Sequence, residues 1–228
     1  MKYMGSKNRL AKYILPIILK DRTGTYFEPF VGGGNLIDKV DGKRIGCDVN
    51  SDVINALVVI RDKAKQIPKN NNEFSEDEYK NRCENIHWLK GFASFAYSYG
   101  GKHWGGWCRD KDNVRDYVAE AYRNAIKQSE NLVGVELRCC DYHDIVLPYN
   151  TTIYCDPPYR NTTKYKNSFD YDLFYNWCCS QKSAGHTVFV SEYNMPNNFT
   201  CVWEREQVSS LTKNTGGKKA IEKLFTLN

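Results

Sequence analysis

Acidic residues and glycines follow four stretches of this sequence that have the composition of strands. They are a glycine turn at Gly32–Gly34, Asp48, Asp141, and the tetrapeptide Asp-Pro-Pro-Tyr at 156–159. In an open α/β sheet, ligands bind at the carboxyl ends of the strands. The sequence therefore predicts one ligand site to which four strand ends contribute.

The tetrapeptide at 156–159 suits the binding of a planar amino group. Its two prolines fix φ and remove two backbone donors, so the turn is stiff and rich in carbonyl oxygens. The Asp156 carboxylate and the Pro157 carbonyl can then accept both hydrogens of an exocyclic amino group, and Tyr159 offers a face for stacking a base. Methylation of a base amino nitrogen needs such acceptors, because they localise its lone pair toward an electrophilic methyl group. The alternative is an ordinary Pro-Pro turn between a strand and a helix.

The glycine turn and Asp48 suit a nucleoside. The series that begins at Gly32 lacks the third glycine of a dinucleotide motif, and no P-loop follows it. What remains is a turn whose backbone can approach a small ligand closely. Asp48 follows the second predicted strand at the spacing at which a carboxylate accepts both ribose hydroxyls. Two simpler interpretations stay open: a plain tight turn, and a helix cap, since Asp48-Val49-Asn50 could cap the next helix.

These residues require an α/β framework, and the hydrophobic pattern predicts one. We predict strands over 25–27, 44–47, 135–140, 151–155 and 187–191, and a terminal hairpin over 202–227. We predict helices over 35–40, 52–60, 114–131 and 169–181, the last capped by Ser168 or Asp170. The alternation of strands and helices stops at residues 61–134, which are polar at first and then rich in aromatics and glycine. We therefore predict a core of residues 1–60 and 135–228 with residues 61–134 inserted into it.

Composition excludes several classes of protein. The chain has 228 residues, of which 41% are hydrophobic and 26% charged, values typical of a globular protein. It contains no apolar run long enough to span a bilayer and does not begin with a secretory signal, so we expect a cytoplasmic protein. The nine cysteines lack C-x-x-C spacing and the four histidines are scattered, so we predict neither disulfides nor a metal site. A net charge of +5 permits a phosphate-rich partner.

Five segments, taken in order, resemble the D12-class DNA adenine N6-methyltransferases, and in particular the Dam-like group α enzymes. The segments are 3–7 (YMGSK), 27–34 (FEPFVGGG), 48–52 (DVNSD), 156–159 (DPPY) and 188–194 (VFVSEYN). The resemblance implies a Rossmann-like fold of the S-adenosylmethionine-dependent methyltransferases, with a mixed central sheet and an inserted, mainly helical target-recognition region. It also implies direct transfer of a methyl group from S-adenosylmethionine to the N6 amino group of a flipped-out adenine in double-stranded DNA.

The resemblance also assigns roles to residues. It implies a catalytic tetrapeptide, which consists of Asp156, Pro157, Pro158 and Tyr159. It implies cofactor-binding residues, which are Tyr3, Lys7, Glu28, Phe30, Gly32, Gly34, Asp48, Asp141 and Asp156. The insertion is then expected to contact DNA through cations interleaved with flat side chains, namely Lys102, His103, Trp104, Trp107, Arg109 and Lys111. The alternative for that segment is a surface loop with core aromatics. A second basic cluster, Lys213, Lys218 and Lys219, is as consistent with a solvated hairpin tip.

Other functions remain open at this point. A site of this type also suits methylation of cytosine N4 or of an amino group in RNA, and a non-catalytic DNA-binding relative would keep the fold. A cytosine-C5 enzyme is disfavoured, because it needs a nucleophilic cysteine, usually after proline, and the chain has no Pro-Cys dipeptide. We expect a monomer or a weak dimer.

Overall fold

The computed structural model describes residues 1–110, 112, 114–160, 169–208 and 219–227. The helices are α1 (Ala11–Ile18), α2 (Ser51–Lys63), α3 (Glu76–Lys80), α4 (Lys90–Ala96), α5 (Tyr117–Leu132) and α6 (Tyr171–Ser183). The strands are β1 (Tyr26–Glu28), β2 (Arg44–Asp48), β3 (Val135–Cys139), β4 (Thr152–Cys155), β5 (Thr187–Glu192), β6 (Phe199–Val208) and β7 (Lys219–Leu227). Short 3-10 helices cover Ile37–Lys39, Ala64–Gln66, His87–Leu89 and Tyr99–Gly101.

The seven strands form one mixed sheet in the order β3-β2-β1-β4-β5-β7-β6. Strand β4 pairs in parallel with β1 and with β5, and β2 pairs in parallel with β3. Strand β7 is antiparallel to both β5 and β6, so the chain ends in a hairpin at the edge of the sheet. This topology confirms the predicted Rossmann-like α/β fold with a mixed central sheet.

Burial follows from the position of each strand in the sheet. All four residues of β4 and all three of β1 are buried. Parallel strands with both faces covered are expected to be continuously apolar, and Ile153 and Phe27 accordingly lie side by side in register. The edge strand β6 is instead exposed from Thr200 to Val202 and again over residues 204–206, where charged side chains discourage pairing with another chain.

The described residues fall into two compact units. The first consists of Met1–Ala11 and Val31–Asp144, and the second of Lys12–Phe30 and Ile145–Asn228. Residues 61–134 all belong to the first unit, and the regular structure that they form is helical. That these residues constitute a separate target-recognition region stays a prediction.

One predicted helix is wrong. Residues 35–40 do not form an α-helix; the segment holds a single 3-10 turn, Ile37–Lys39, and Val40 is already extended. The last backbone hydrogen bonds of this segment, from the Lys39 amide to the Leu36 carbonyl and from Val40 to Ile37, span three residues, which is the 3-10 pattern. The other predicted elements are confirmed within a few residues at their ends. Among the described helices, none is long and apolar enough to cross a membrane.

Candidate functional site

In the first unit, the glycine turn and Asp48 are joined by hydrogen bonds. The Gly32 amide donates to Asp48 Oδ2 at 3.1 Å, and the Asn50 amide donates to Asp48 Oδ1 at 3.0 Å. Asn50, and not Asp48, caps helix α2, because its side chain accepts the Asp52 amide. Residues 48–50 therefore do cap the next helix, but through Asn50 and not through Asp48. The Asp48 carboxylate, at the end of β2, instead accepts an amide of the glycine turn at residues 32–34.

Burial raises the pKa of Asp48 from 3.8 to about 6, although hydrogen bonds from Asn50 and Gly32 act in the opposite direction. The Asp48 carboxylate accepts one backbone amide at each of its oxygens. Each of its oxygens has a second lone pair with which it can accept a further donor. Asp48 can therefore receive the two hydroxyls of a ribose.

The glycines of the turn are required by packing and by backbone conformation. Gly32 has φ +47°, and a Cβ there would lie 2.8 Å from the Tyr3 ring atom Cε1. Gly34 has φ +66°, and its Cβ would lie 2.9 Å from Leu57 Cδ2. Tyr3 in turn packs against Phe95, with ring centroids 5.3 Å apart. Tyr3 thus forms one wall of the turn, which agrees with its assignment to the same site.

Two further predicted residues lie in this unit. Lys7 is buried, with 8% of its surface exposed. Its carbonyl accepts the amides of Leu10 and Ala11, which begins α1. Asp141 follows β3 and lies next to His143, whose Nδ1 is 2.9 Å from Asp141 Oδ1. Asp141 therefore has a partner within its own loop.

The donor set of the first unit fits S-adenosylmethionine. A half-buried carboxylate suits the ribose hydroxyls, a buried lysine suits the carboxylate of the amino-acid part, and Tyr3 lines the glycine turn with an apolar face. No group of three or more possible metal-ligating side chains occurs among the described residues.

In the second unit, two residues that the resemblance assigns to the cofactor contact other side chains of the same unit. Glu28 is buried and accepts the Tyr26 hydroxyl at 2.9 Å. Burial, and next the charge of Glu28, hold the pKa of Tyr26 well above its ordinary value. Phe30 packs edge-on against Phe169 and Phe174, each at 5.8 Å between ring centroids. Any contact of Glu28 or Phe30 with a cofactor stays a prediction.

The tetrapeptide at 156–159 forms a corner directly after the buried strand β4. The Pro158 carbonyl accepts the Tyr171 hydroxyl at 2.9 Å, and the Arg160 amide donates to Glu192 at 3.0 Å. Tyr159 donates its hydroxyl to Glu222 at 2.8 Å. The corner is therefore held by residues from β5, α6 and β7 in addition to its own prolines. Asp156 is half-buried at its start.

The predicted DNA-binding segment belongs to the first unit, where its aromatics are largely packed. Trp107 lies against Phe74, Tyr79 and Tyr97, and Trp104 lies against Tyr79 with ring centroids 5.0 Å apart. This packing agrees with the alternative of core aromatics, and a role of the two tryptophans in DNA binding stays a prediction.

The cations of the same segment differ in their surroundings. His103 Nε2 lies 2.7 Å from Asp52 Oδ2, and Arg109 Nε donates to Glu76 at 2.9 Å. The guanidinium of Arg109, and next Lys80, lower the pKa of Glu76. Lys102 is exposed. Lys111, Lys213 and Lys218 lie outside the described residues, and of Lys219 only the backbone is described.

Sequence reasoning missed Gln128, a buried residue of α5. Its Nε2 donates to the carbonyls of Gly33 and Gly34 at 3.0 and 3.2 Å and to Asp38 at 2.9 Å. A signal was present in the sequence, because Gln128 stands in the helical stripe formed by Val118, Ala121, Ala125 and Leu132. A polar residue at an apolar position of an amphipathic helix indicates a specific buried partner.

A model of the family described as D12 class N6 adenine-specific DNA methyltransferase matches residues 3–87. Tyr3, Lys7, Glu28, Phe30, Gly32, Gly34 and Asp48 lie within the matched range, whereas Asp141 and the corner at 156–159 follow it. The match supports an enzyme that transfers a methyl group, and it implies S-adenosylmethionine as the donor.

No curated protein matches this chain. Among solved structures, it is similar to a putative methyltransferase, yhhF, from Escherichia coli, with a TM-score of 0.40 and 10% identity over 97% of this chain and 85% of that one. So low a TM-score carries no argument, and the fold assignment rests on the strand order.

Proposed function

We propose that this protein is a Dam-like group α DNA methyltransferase, which transfers a methyl group from S-adenosylmethionine to the N6 amino group of adenine in double-stranded DNA. The observation that carries the proposal is the corner at 156–159. It follows a fully buried strand, and its backbone and its tyrosine are held by Glu192, Tyr171 and Glu222. A stiff corner with a carboxylate and an aromatic ring is what recognition of a flipped base requires.

The acceptors at the corner define its chemistry. The Pro158 carbonyl is used by Tyr171, so the proposed acceptors for the two amino hydrogens are the Asp156 carboxylate and the Pro157 carbonyl. When both amino hydrogens are held by these acceptors, the nitrogen lone pair is less delocalised into the adenine ring. It is then localised on the nitrogen and directed toward the methyl group. The Asp156 carboxylate also stabilises the positive charge that develops on the nitrogen during transfer, and the methylated nitrogen then loses its extra proton to solvent.

The residues of the first unit would hold the cofactor. Asp48 would accept the ribose hydroxyls, Lys7 would pair with the methionine carboxylate, and Tyr3 with Gly32 and Gly34 would shape the pocket. When bound, S-adenosylmethionine supplies an electrophilic methyl group on a sulfonium. The protein then contributes orientation and electrostatics, and no covalent enzyme intermediate is needed.

The magnitudes are sufficient for this mechanism. Holding two reactants in a reactive orientation supplies about 7–11 kcal/mol. Flipping a base out of the duplex costs a few kcal/mol, and stacking on an aromatic ring returns about 1–3 kcal/mol. Tyr159 can therefore offset much of the flipping cost. DNA contacts are assigned to residues 61–134, with Lys102 as an exposed cation.

The test is to incubate the protein with S-adenosylmethionine and duplex DNA and to identify methylated nucleosides by mass spectrometry. The proposal predicts N6-methyladenine. Exclusive formation of N4-methylcytosine, or methylation of RNA but not DNA, would refute the assigned substrate. DNA binding with no affinity for S-adenosylmethionine in calorimetry would instead identify a non-catalytic relative.

We predict that Asp156→Ala abolishes methyl transfer, because the amino group loses its charged acceptor. Since Asp156 is only half-buried, folding should be retained. Turnover is measured with labelled cofactor, and circular dichroism checks the fold. Asp172→Ala, which removes an exposed carboxylate from the first turn of α6, is the matched control and should be fully active. Wild-type turnover in Asp156→Ala would contradict the proposed site.

A further inference from the structure

The ring of Tyr159 is fixed at two points. Its hydroxyl donates to Glu222 Oε2 at 2.8 Å, and its ring meets the ring of Tyr193 edge-on, with centroids 4.7 Å apart and planes at 85°. Burial, and next the charges of Asp156 and Glu222, hold the pKa of Tyr159 well above its ordinary value. The phenol therefore stays protonated, and it remains a donor toward Glu222 at any pH at which the protein is assayed.

The neighbouring carboxylate, Glu192, has a different role. It is 1% exposed, and its two oxygens accept backbone amides, those of Tyr193 at 2.7 Å and Arg160 at 3.0 Å. Glu192 therefore supports the backbone of the corner. Glu222 is half-buried on β7 and accepts the Tyr159 hydroxyl, so this contact is made with the side chain of the corner and not with its backbone.

We infer that Glu222 is a positioning residue, which orients the Tyr159 ring for stacking on the target base. The inference rests on the proposed function, since it assigns the purpose of the contact to base binding. A carboxylate that accepts a hydrogen bond from a phenolic hydroxyl makes a charge-assisted hydrogen bond, which is stronger than a hydrogen bond between neutral groups. The ring is thereby ordered during folding. Base binding then does not carry the additional entropy cost of immobilising the ring.

The inference predicts which kinetic constant changes. Stacking of the flipped base follows DNA binding, so loss of the contact lowers kcat and leaves the Kd values for DNA and for the cofactor unchanged. Glu222→Ala should lower kcat by about tenfold or more, the equivalent of one charge-assisted hydrogen bond. Glu222→Gln keeps an acceptor oxygen, and its kcat should fall by less than about threefold.

A double-mutant cycle identifies the partner of Glu222. If Glu222 acts through the Tyr159 hydroxyl, Tyr159→Phe reproduces the defect of Glu222→Ala, and the double variant is no worse than either single one. Glu204→Ala, which removes an exposed carboxylate from the same hairpin, is the matched control and should behave as wild type. Calorimetric stoichiometry of cofactor binding gives the folded fraction of each variant.

Wild-type kcat in Glu222→Ala, or defects that multiply in the double variant, would overturn the inference while the proposed function stands. If Glu222→Ala fails to fold, the inference is tested with Tyr159→Phe and Glu222→Gln. Wild-type turnover in Tyr159→Phe would then overturn the inference. A wild-type protein that methylates no base in DNA would instead refute the proposed function, and the inference would fall with it.

Discussion

Replacement of Asp48 by asparagine separates the demands of folding from those of ligand binding. The pKa of this carboxyl is 3.8 in an unfolded chain and about 6 in the folded protein, because burial penalises its ionised form. The folded state therefore binds the proton more tightly than the unfolded state does. The stability that this proton confers is fully present below pH 3.8 and is lost as the pH rises through about 6.

The magnitude follows from the two pKa values. Their difference corresponds to about 3 kcal/mol of stability that is lost between acidic and neutral pH, and about 2 kcal/mol of this loss falls between pH 4.5 and pH 7.5. The side-chain amide introduced by Asp48→Asn cannot ionise, so this part of the pH dependence should disappear in the variant. The asparagine has one acceptor oxygen where the aspartate has two, so one of the hydrogen bonds from the Gly32 and Asn50 amides is lost. This loss lowers the free energy of unfolding by about 1 kcal/mol at every pH.

The assay is chemical unfolding of both proteins at pH 4.5 and pH 7.5, followed by tryptophan fluorescence. The stability of Asp48→Asn relative to wild type should rise by about 2 kcal/mol between the two pH values. Calorimetry at pH 7.5 should at the same time show that the variant no longer binds S-adenosylmethionine. A difference in stability between the two proteins that is the same at both pH values would refute the claim that burial raises the pKa of Asp48.

Two further predictions concern the glycine turn and the DNA-binding segment. Gln128→Ala removes a buried donor that the Gly33 and Gly34 carbonyls share with Asp38, so thermal unfolding should show a loss of about 1–3 kcal/mol. The matched control Lys127→Ala, which changes an exposed neighbour of Gln128, should lower the free energy of unfolding by less than about 0.5 kcal/mol. An equal loss of stability in both variants would argue against the Gln128 contacts. Lys102→Ala should reduce the slope of log K against log salt for DNA binding by about 1, as measured by fluorescence anisotropy. A slope equal to wild type would remove Lys102 from the interface.

The positions in the fold that the sequence predicted correctly are those whose signals are local. Asp48 and Asp156 follow strands whose apolar composition is visible in a few residues, and two prolines determine the corner after Asp156. The hairpin of β6 and β7 and the cap of α6 at Asp170 were also predictable, because strand composition and capping residues act over short distances. Local chemistry of this kind determines most of the fold.

The contacts that escaped prediction join residues far apart in the chain. Glu222 lies 63 residues after Tyr159, and Gln128 lies 95 residues after Gly33. The packing of Trp107 against Phe74 and Tyr97 shows the same limit, because the residues that flank it in sequence do not indicate these partners, and its role in DNA binding stays a prediction. Neither a partner across the sheet nor the burial of an aromatic ring is determined by neighbours in sequence.

The most direct test of the account is a crystal structure of the protein with a non-reactive analogue of S-adenosylmethionine and a duplex that contains its target site. We predict an extruded adenine whose amino group lies within hydrogen-bonding distance of Asp156 and of the Pro157 carbonyl, with its ring stacked on Tyr159. An Asp156 side chain that faces away from the base and the analogue, or a base pocket filled by the protein's own side chains, would contradict it.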